Sequence, residues 1–255
     1  MQMENFKNKT VIVTGSAQGI GLEIAKLFIS NGANVIINSR NDNDKLNEAV
    51  GLISLNSKNI RGVLADVSII EGAKNLFNEA LKFNGNVDIL INNAGGLIDR
   101  VPISDYNEAH FDKVISSNLK TAFVMSSLAI PIMEKQKSGH IINFTSQAGY
   151  DGGGPGAAAY ASAKAGIVAF TKGLVKELEG KNIICNAVSP GFIQQTSFHN
   201  TFTSKEVHSK VKDVVPLKRL GNASDVADLV LFLCSKRSSY INGASIHING
   251  GLLLV

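Results

Sequence analysis

A chain of 255 residues can bury roughly 70–75% of the surface its extended form exposes, so one large α/β domain can carry its own core. Apolar residues make up 44% and charged residues 18%, and 24 glycines stand against 5 prolines, which excludes disordered, collagen-like and coiled-coil chains. The 25 Lys and Arg exceed the 21 Asp and Glu by enough for a net +4, yet no run of them is dense enough to follow a phosphate backbone, so nucleic acid is not expected as a partner.

In chain order, Met1 to Lys9 lacks the apolar centre of an export signal, and no later apolar run approaches the roughly 18 residues of a membrane span. A cytoplasmic location with no membrane contact is expected. From Thr10 onward, short β-branched runs alternate with longer stretches of helical period, the pattern of repeated βαβ units. Strands are predicted at Thr10–Thr14, Asn34–Asn38, Ile60–Ala65, Val87–Ile91, His140–Phe144, Ile183–Val188 and Ala244–Ile248. Most are nearly continuous apolar runs, as strands covered on both faces require. Helices are predicted at Ile20–Ser30, Asp44–Leu55, Ile70–Phe83, His110–Lys135, Ala158–Glu179 and Ser224–Ser235. The expected fold is α/β: a single Rossmann-type doubly wound domain over residues 1–255, with a seven-stranded parallel sheet and helices on both faces. Cys185 and Cys234 sit in apolar stretches, and no His/Cys cluster has zinc-ligand spacing, so both read as reduced core residues and no metal is expected.

The first strand runs into Thr14-Gly15-Ser16-Ala17-Gln18-Gly19-Ile20-Gly21, with the apolar helix positions Ile20, Ile24, Leu27 and Phe28 directly behind it. Glycines at this spacing let the backbone approach a pyrophosphate and set the helix dipole towards it. Further on come Asp66-Val67, Asn92-Asn93-Ala94-Gly95, Asn118, Ser146, Tyr160 and Lys164 four residues later, and Ser189-Pro190-Gly191. In that order, from Lys7 to Gly251, the chain resembles the short-chain dehydrogenase/reductase family. The resemblance implies a catalytic tetrad of Asn118, Ser146, Tyr160 and Lys164. It implies a cofactor site made by Gly15, Ser16, Gln18, Gly19, Ile20, Gly21, Arg40, Asp66, Val67, Asn92, Ala94, Gly95, Tyr160, Lys164, Pro190, Gly191 and Ile193.

Reducing a carbonyl takes a hydride on carbon and a proton on oxygen, so an acid must stand beside a bound nicotinamide. Tyr160 is the candidate acid. Lys164 shares its helix face, and its charge is expected to bring the phenol from near 10 towards neutrality. By resemblance Lys164 also holds the nicotinamide ribose, Ser146 positions the substrate carbonyl, and Asn118 completes a proton relay through water. The second strand ends Asn38-Ser39-Arg40, with no carboxylate to repel a 2′-phosphate and a guanidinium to grip it, so NADP(H) is expected over NAD(H).

Two departures from the family pattern stand out. The stretch between Ser146 and Tyr160 is one residue longer than is common, in Tyr150-Asp151-Gly152-Gly153-Gly154-Pro155-Gly156, and Gln195 occupies the offset where a cofactor-contacting Thr is common, with Thr196 one later. The substrate loops are expected at about 147–157 and 192–212. Gln147, Gly153 and His199 are the candidate substrate contacts. These loops resemble the short-chain reductases of alginate breakdown, which implies reduction of the small-molecule keto acid derived from an unsaturated uronate (4-deoxy-L-erythro-5-hexoseulose uronate) to 2-keto-3-deoxygluconate. The alternative is a 3-oxoacyl-[acyl-carrier-protein] reductase or another sugar or polyol dehydrogenase of the family. A surplus of apolar and small positions on the helices around Val114, Ala122, Val124, Ala129, Ala165, Ile167, Val168 and Phe170 predicts a homotetramer, with Leu252-Leu253-Leu254-Val255 as a further subunit contact.

Overall fold

The computed structural model describes residues 5–54, 57–194 and 211–255. Its strands are β1 (Thr10–Val13), β2 (Asn34–Ser39), β3 (Ile60–Leu64), β4 (Ile89–Asn92), β5 (Gly139–Phe144), β6 (Ile183–Pro190) and β7 (Ser245–Ile248). They form one seven-stranded sheet in the order β3-β2-β1-β4-β5-β6-β7, every pairing parallel. The connecting helices are α1 (Gly19–Ser30), α2 (Asn43–Ser54), α3 (Ile70–Asn84), α4 (Glu108–Ile115), α5 (Thr121–Gln136), α6 (Ala148–Asp151) and α7 (Ala158–Glu177), and a further helix spans Ala223–Leu233.

Alternation along each strand feeds two cores. Val11, Val13, Val35 and Ile37 meet Ile24 and Phe28 of α1, Leu46 of α2 and Val230 of the Ala223–Leu233 helix on one face. Ile12, Ile36, Leu90 and Ile141 meet Leu76 of α3, Met125 and Met133 of α5 and Leu174 of α7 on the other. Each such side chain, fully buried, contributes roughly 1.5–3 kcal/mol of transfer free energy. The expected doubly wound fold is therefore the observed one. Chain order reverses on either side of β1, which lies between β2 and β4, and this switch point opens a crevice at the carboxyl ends of the strands.

The helix predicted as one run over 110–135 is built differently. It begins at Glu108, because the Asn107 side chain accepts from the His110 backbone N–H at 2.8 Å and caps it. It then widens into a π-helical turn over Ser116–Lys120 before continuing as α5. Asn118 lies in that turn and returns its Nδ2 to the Val114 carbonyl at 2.9 Å, a side-chain bond that competes with the regular helical ladder.

Candidate active site

The turn after β1 is shaped for an anion. Gly15 has φ of +60°, and a Cβ there would lie 2.9 Å from the Ala94 Cα, so the position takes glycine for both reasons. Gln18 precedes α1 without a side-chain cap bond, and no acidic residue occupies the first turn. The leading N–H groups of the helix thus have no intrahelical partner and point positive partial charge out of its end. A groove of about 370 Å³ runs from this turn past Arg40, Asp66 and Val67 to Ala94 and Gly95. Asp66 Oδ1 accepts from the Ser68 N–H at 2.9 Å and hydroxyl at 2.7 Å. Burial works against its charge, but those two bonds and the nearby Arg40 and Lys120 cations outweigh it and hold the carboxyl below its usual range. An open helix end for a pyrophosphate, with a guanidinium and an ionised carboxylate further along, fits a phosphorylated dinucleotide.

A second cavity, of about 350 Å³, shares Ile20, Asn93, Gly95 and Gly96 with the groove, so the two are continuous. Its wall includes Ser146, Gln147, Tyr160, Lys164, Pro190, Gly191 and Ile193. Tyr160 and Lys164 lie one turn apart on α7, both buried, with Nζ 5.7 Å from the phenol ring centroid. Lys164 Nζ donates to the Phe144 carbonyl at 2.8 Å, and Thr145 Oγ1 donates to the Lys164 carbonyl at 2.7 Å, so the end of β5 clasps α7 from both sides. The Ser146 hydroxyl is hydrogen-bonded to Tyr160. Asn118 Oδ1 accepts from the Gly96 N–H at 3.0 Å and its Nδ2 donates to the Gly96 carbonyl at 2.9 Å. Gly95 separates it from the lysine: a Cβ there would stand 2.4 Å from Asn118 Oδ1 and 3.3 Å from Lys164 Nζ.

The electrostatics correct one expectation. Burial pushes the Tyr160 phenol up to about 12, against the lowering effect of Ser146, and pushes Lys164 down to about 7. Burial, which takes water from both charged forms, outweighs the lowering expected of the lysine on the phenol.

Several assignments from the sequence change as well. Ser16 is fully buried; its Oγ donates to the Val13 carbonyl at 2.5 Å and accepts from the Asn38 N–H at 2.9 Å, and its own N–H is bonded to the Asn38 carbonyl. It braces the turn and contributes nothing to the groove wall. Asn92 points into the core, donating to Asn143 Oδ1 at 2.8 Å and Ser126 Oγ at 3.2 Å. The neighbouring Asn93, within the same motif but not named as a contact, lines both cavities and donates to the Thr14 and Gly15 carbonyls at 2.9 Å each. Strand parity was the available signal, since Asn92 shares the inward face of Leu90. Gly153 lines the cavity, but its N–H is taken by Asp151 Oδ1 at 2.8 Å. Arg100 and Asp151 also line the cavity: Asp151 falls in the expected 147–157 loop without having been named as a contact, and Arg100 lies outside every predicted loop and motif. His199, Thr196 and most of the expected 192–212 loop lie outside the described residues.

A doubly wound sheet with a glycine turn after β1 and a Ser, Tyr and Lys set over the adjoining cavity defines a nucleotide-dependent oxidoreductase. Comparison with known proteins shows that the chain belongs to the short-chain dehydrogenase/reductase family. Residues 15–253 match the family model described as enoyl-(acyl carrier protein) reductase. The chain is 37% identical to the 3-oxoacyl-[acyl-carrier-protein] reductase FabG of Staphylococcus epidermidis, over 97% of this chain and 100% of that one. It is 36% identical to the protein of the same name from Aquifex aeolicus, over 97% and 98%. Among solved structures, a short-chain dehydrogenase/reductase titled glucose/ribitol dehydrogenase from Brucella melitensis is similar with a TM-score of 0.89 and 30% identity, covering 100% of both chains.

Proposed function

We propose that this protein is an NADP(H)-dependent carbonyl reductase in which Tyr160 gives a proton to the carbonyl oxygen. The observation that carries the reading is the buried Tyr160, bonded to Ser146 in the cavity that opens into the dinucleotide groove. When bound, the cofactor supplies the hydride that reaches the carbonyl carbon. The chain supplies the proton and the geometry. With its phenol held at about 12, Tyr160 keeps its O–H across the working pH range and is a donor in the reducing direction. Ser146 orients the same carbonyl oxygen. Lys164 holds its ammonium in place through Phe144, and Asn118 secures the Gly95–Gly96 corner beside it, from which a water could pass the replacement proton. The cofactor is NADP(H): Arg40 follows β2 in the groove wall, where the side chains at 38–41 include no carboxylate.

On the substrate, two observations point different ways. The relatives named above are 3-oxoacyl-[acyl-carrier-protein] reductases, which supports the acyl reading better than the uronate one, and nothing in the comparisons supports alginate chemistry. The cavity wall instead offers groups for a small hydroxylated oxo acid: the Arg100 guanidinium, suited to a carboxylate, and the Gln147 amide. Steady-state assays with NADPH on the uronate-derived keto acid and on an acetoacetyl thioester test this. Higher kcat/KM on the thioester assigns the enzyme to the acyl reading, and turnover of neither removes the carbonyl-reductase reading for these classes.

We also read the protein as a cytoplasmic homotetramer. No helix among the described residues is long and apolar enough to cross a membrane. Val114, Ala122, Ala129 and Ile167 are consumed in the subunit's own core, but Phe123 is 50% exposed and stacks on Phe170 at 3.9 Å, which leaves an apolar face on α5 and α7 for a second copy. Leu254 and Val255 are exposed too. A monomeric mass by light scattering at micromolar concentration would overturn this.

A further inference from the structure

Beside the catalytic serine, Gln147 donates its backbone N–H to the Pro190 carbonyl at 3.1 Å and its Nε2 to Asp151 Oδ2 at 2.9 Å. A carboxylate only accepts hydrogen bonds, so Asp151 decides which end of the amide faces it and leaves Oε1 turned the other way. That oxygen is buried, has no hydrogen-bond partner among the described residues, and lies 3.2 Å from where a Cβ on Gly191 would stand. Gln147, Asp151 and Gly191 all line the substrate cavity. Asp151 is itself held in place by the Gly153 N–H at 2.8 Å on its other oxygen. The result is a buried acceptor, held in one orientation, next to the group that orients the carbonyl. A ligand that brings a donor would satisfy it.

We propose that Gln147 is a specificity-determining residue that accepts a hydrogen bond from a substrate hydroxyl close to the reacting carbonyl, and that Asp151 is the positioning residue that sets its orientation. This rests on the carbonyl-reductase reading above and narrows its substrate class to hydroxylated oxo compounds. A site built to accept a hydroxyl rejects an isostere that lacks it, because the acceptor is then buried unpaired.

The test is a pair of 2-oxo acids of equal size, hydroxypyruvate and 2-oxobutanoate, which differ by a hydroxyl against a methyl, run with NADPH alongside an acetoacetyl thioester. Wild type should prefer hydroxypyruvate by at least about tenfold in kcat/KM. Gln147→Met keeps the volume and removes the acceptor; Asp151→Ala frees the amide to turn. Each should cut the preference at least about fivefold, whereas Asp151→Asn, which still offers an oxygen to Nε2, should retain more of it than the alanine variant. A wild-type ratio near one overturns the proposal, and so does an unchanged ratio in Gln147→Met. If Gln147→Met raises only the KM for NADPH, the acceptor serves the cofactor and the proposal is again overturned. Turnover of the thioester with neither oxo acid overturns it while carbonyl reduction stands; turnover of none of the three removes the reading on which it rests.

Discussion

Lys164 Nζ donates to the Phe144 carbonyl oxygen at 2.8 Å, so the cation on α7 is anchored to the end of β5 by a neutral group. Burial without a carboxylate brings the lysine down to about 7. The fold therefore carries a cost for a charge it uses only in function.

That cost has a defined pH dependence. Below pH 7 both folded and unfolded lysine are protonated and the penalty is complete. Between about 7 and 10.5 the folded state sheds the proton that the unfolded chain keeps, so stability rises with pH and the penalty is gone above 10.5. Lys164→Met should thus be more stable than wild type at pH 6 by on the order of 1–3 kcal/mol once the lost Phe144 bond is deducted, seen as a higher Tm. The gain should shrink towards zero by pH 10 while turnover is lost. Thermal melts of the cofactor-free protein across this range check it; a gain independent of pH would show that the charge is not what the fold resists.

Tyr160→Phe removes the proton donor and almost no volume. Reduction should fall by roughly 10²–10⁴-fold with NADPH affinity largely intact. The cofactor's own fluorescence reports binding, since the chain contains no Trp. A variant keeping more than about a tenth of the wild-type rate would assign the proton to another group.

Arg40→Ala should collapse the choice of cofactor. A charge-assisted bond to phosphate is worth about 1.5–3 kcal/mol, so the ratio of kcat/KM for NADPH over NADH should drop by about 10-fold or more. A ratio that does not move places the 2′-phosphate elsewhere.

His140, in β5, is pushed down to about 4, mainly by burial, with Lys9 adding to the effect and Asp88 opposing it. Between pH 6.5 and 4 the unfolded chain holds a proton that the folded chain lacks, so stability should fall as the pH drops through that window. Urea unfolding at pH 7, 5.5 and 4 should show the loss in wild type and a smaller one in His140→Gln. Equal losses in both would point to the carboxylates as the source.

Asn92 and Asn93 show how far a motif reads on its own. The pair was recognisable as part of the site, yet one amide braces the core through Asn143 while the other holds the glycine turn. Their division follows from strand parity, a local rule that a motif taken as a block conceals. Asn118 is similar: its place in the tetrad was legible, but the π-helical turn that lets it reach back to Val114 and across to Gly96 was not. Its Gly96 partner lies in a different loop, distant in sequence.

What the amino-acid order determined by itself was everything that rests on local period and spacing. The β-branched runs specify a doubly covered parallel sheet, the glycines specify the anion turn, and a four-residue step sets Tyr160 and Lys164 on one side of a helix. Tertiary structure alone decided the sign of the electrostatics and the membership of the substrate cavity. Arg100 follows β4, Asp151 follows β5 and Gly191 follows β6, so they share a wall only because parallel strands deliver their carboxyl ends to the same edge of the sheet. Burial at that edge raises the phenol and lowers the lysine, and burial is a property of what packs around a residue, which its neighbours in sequence do not state.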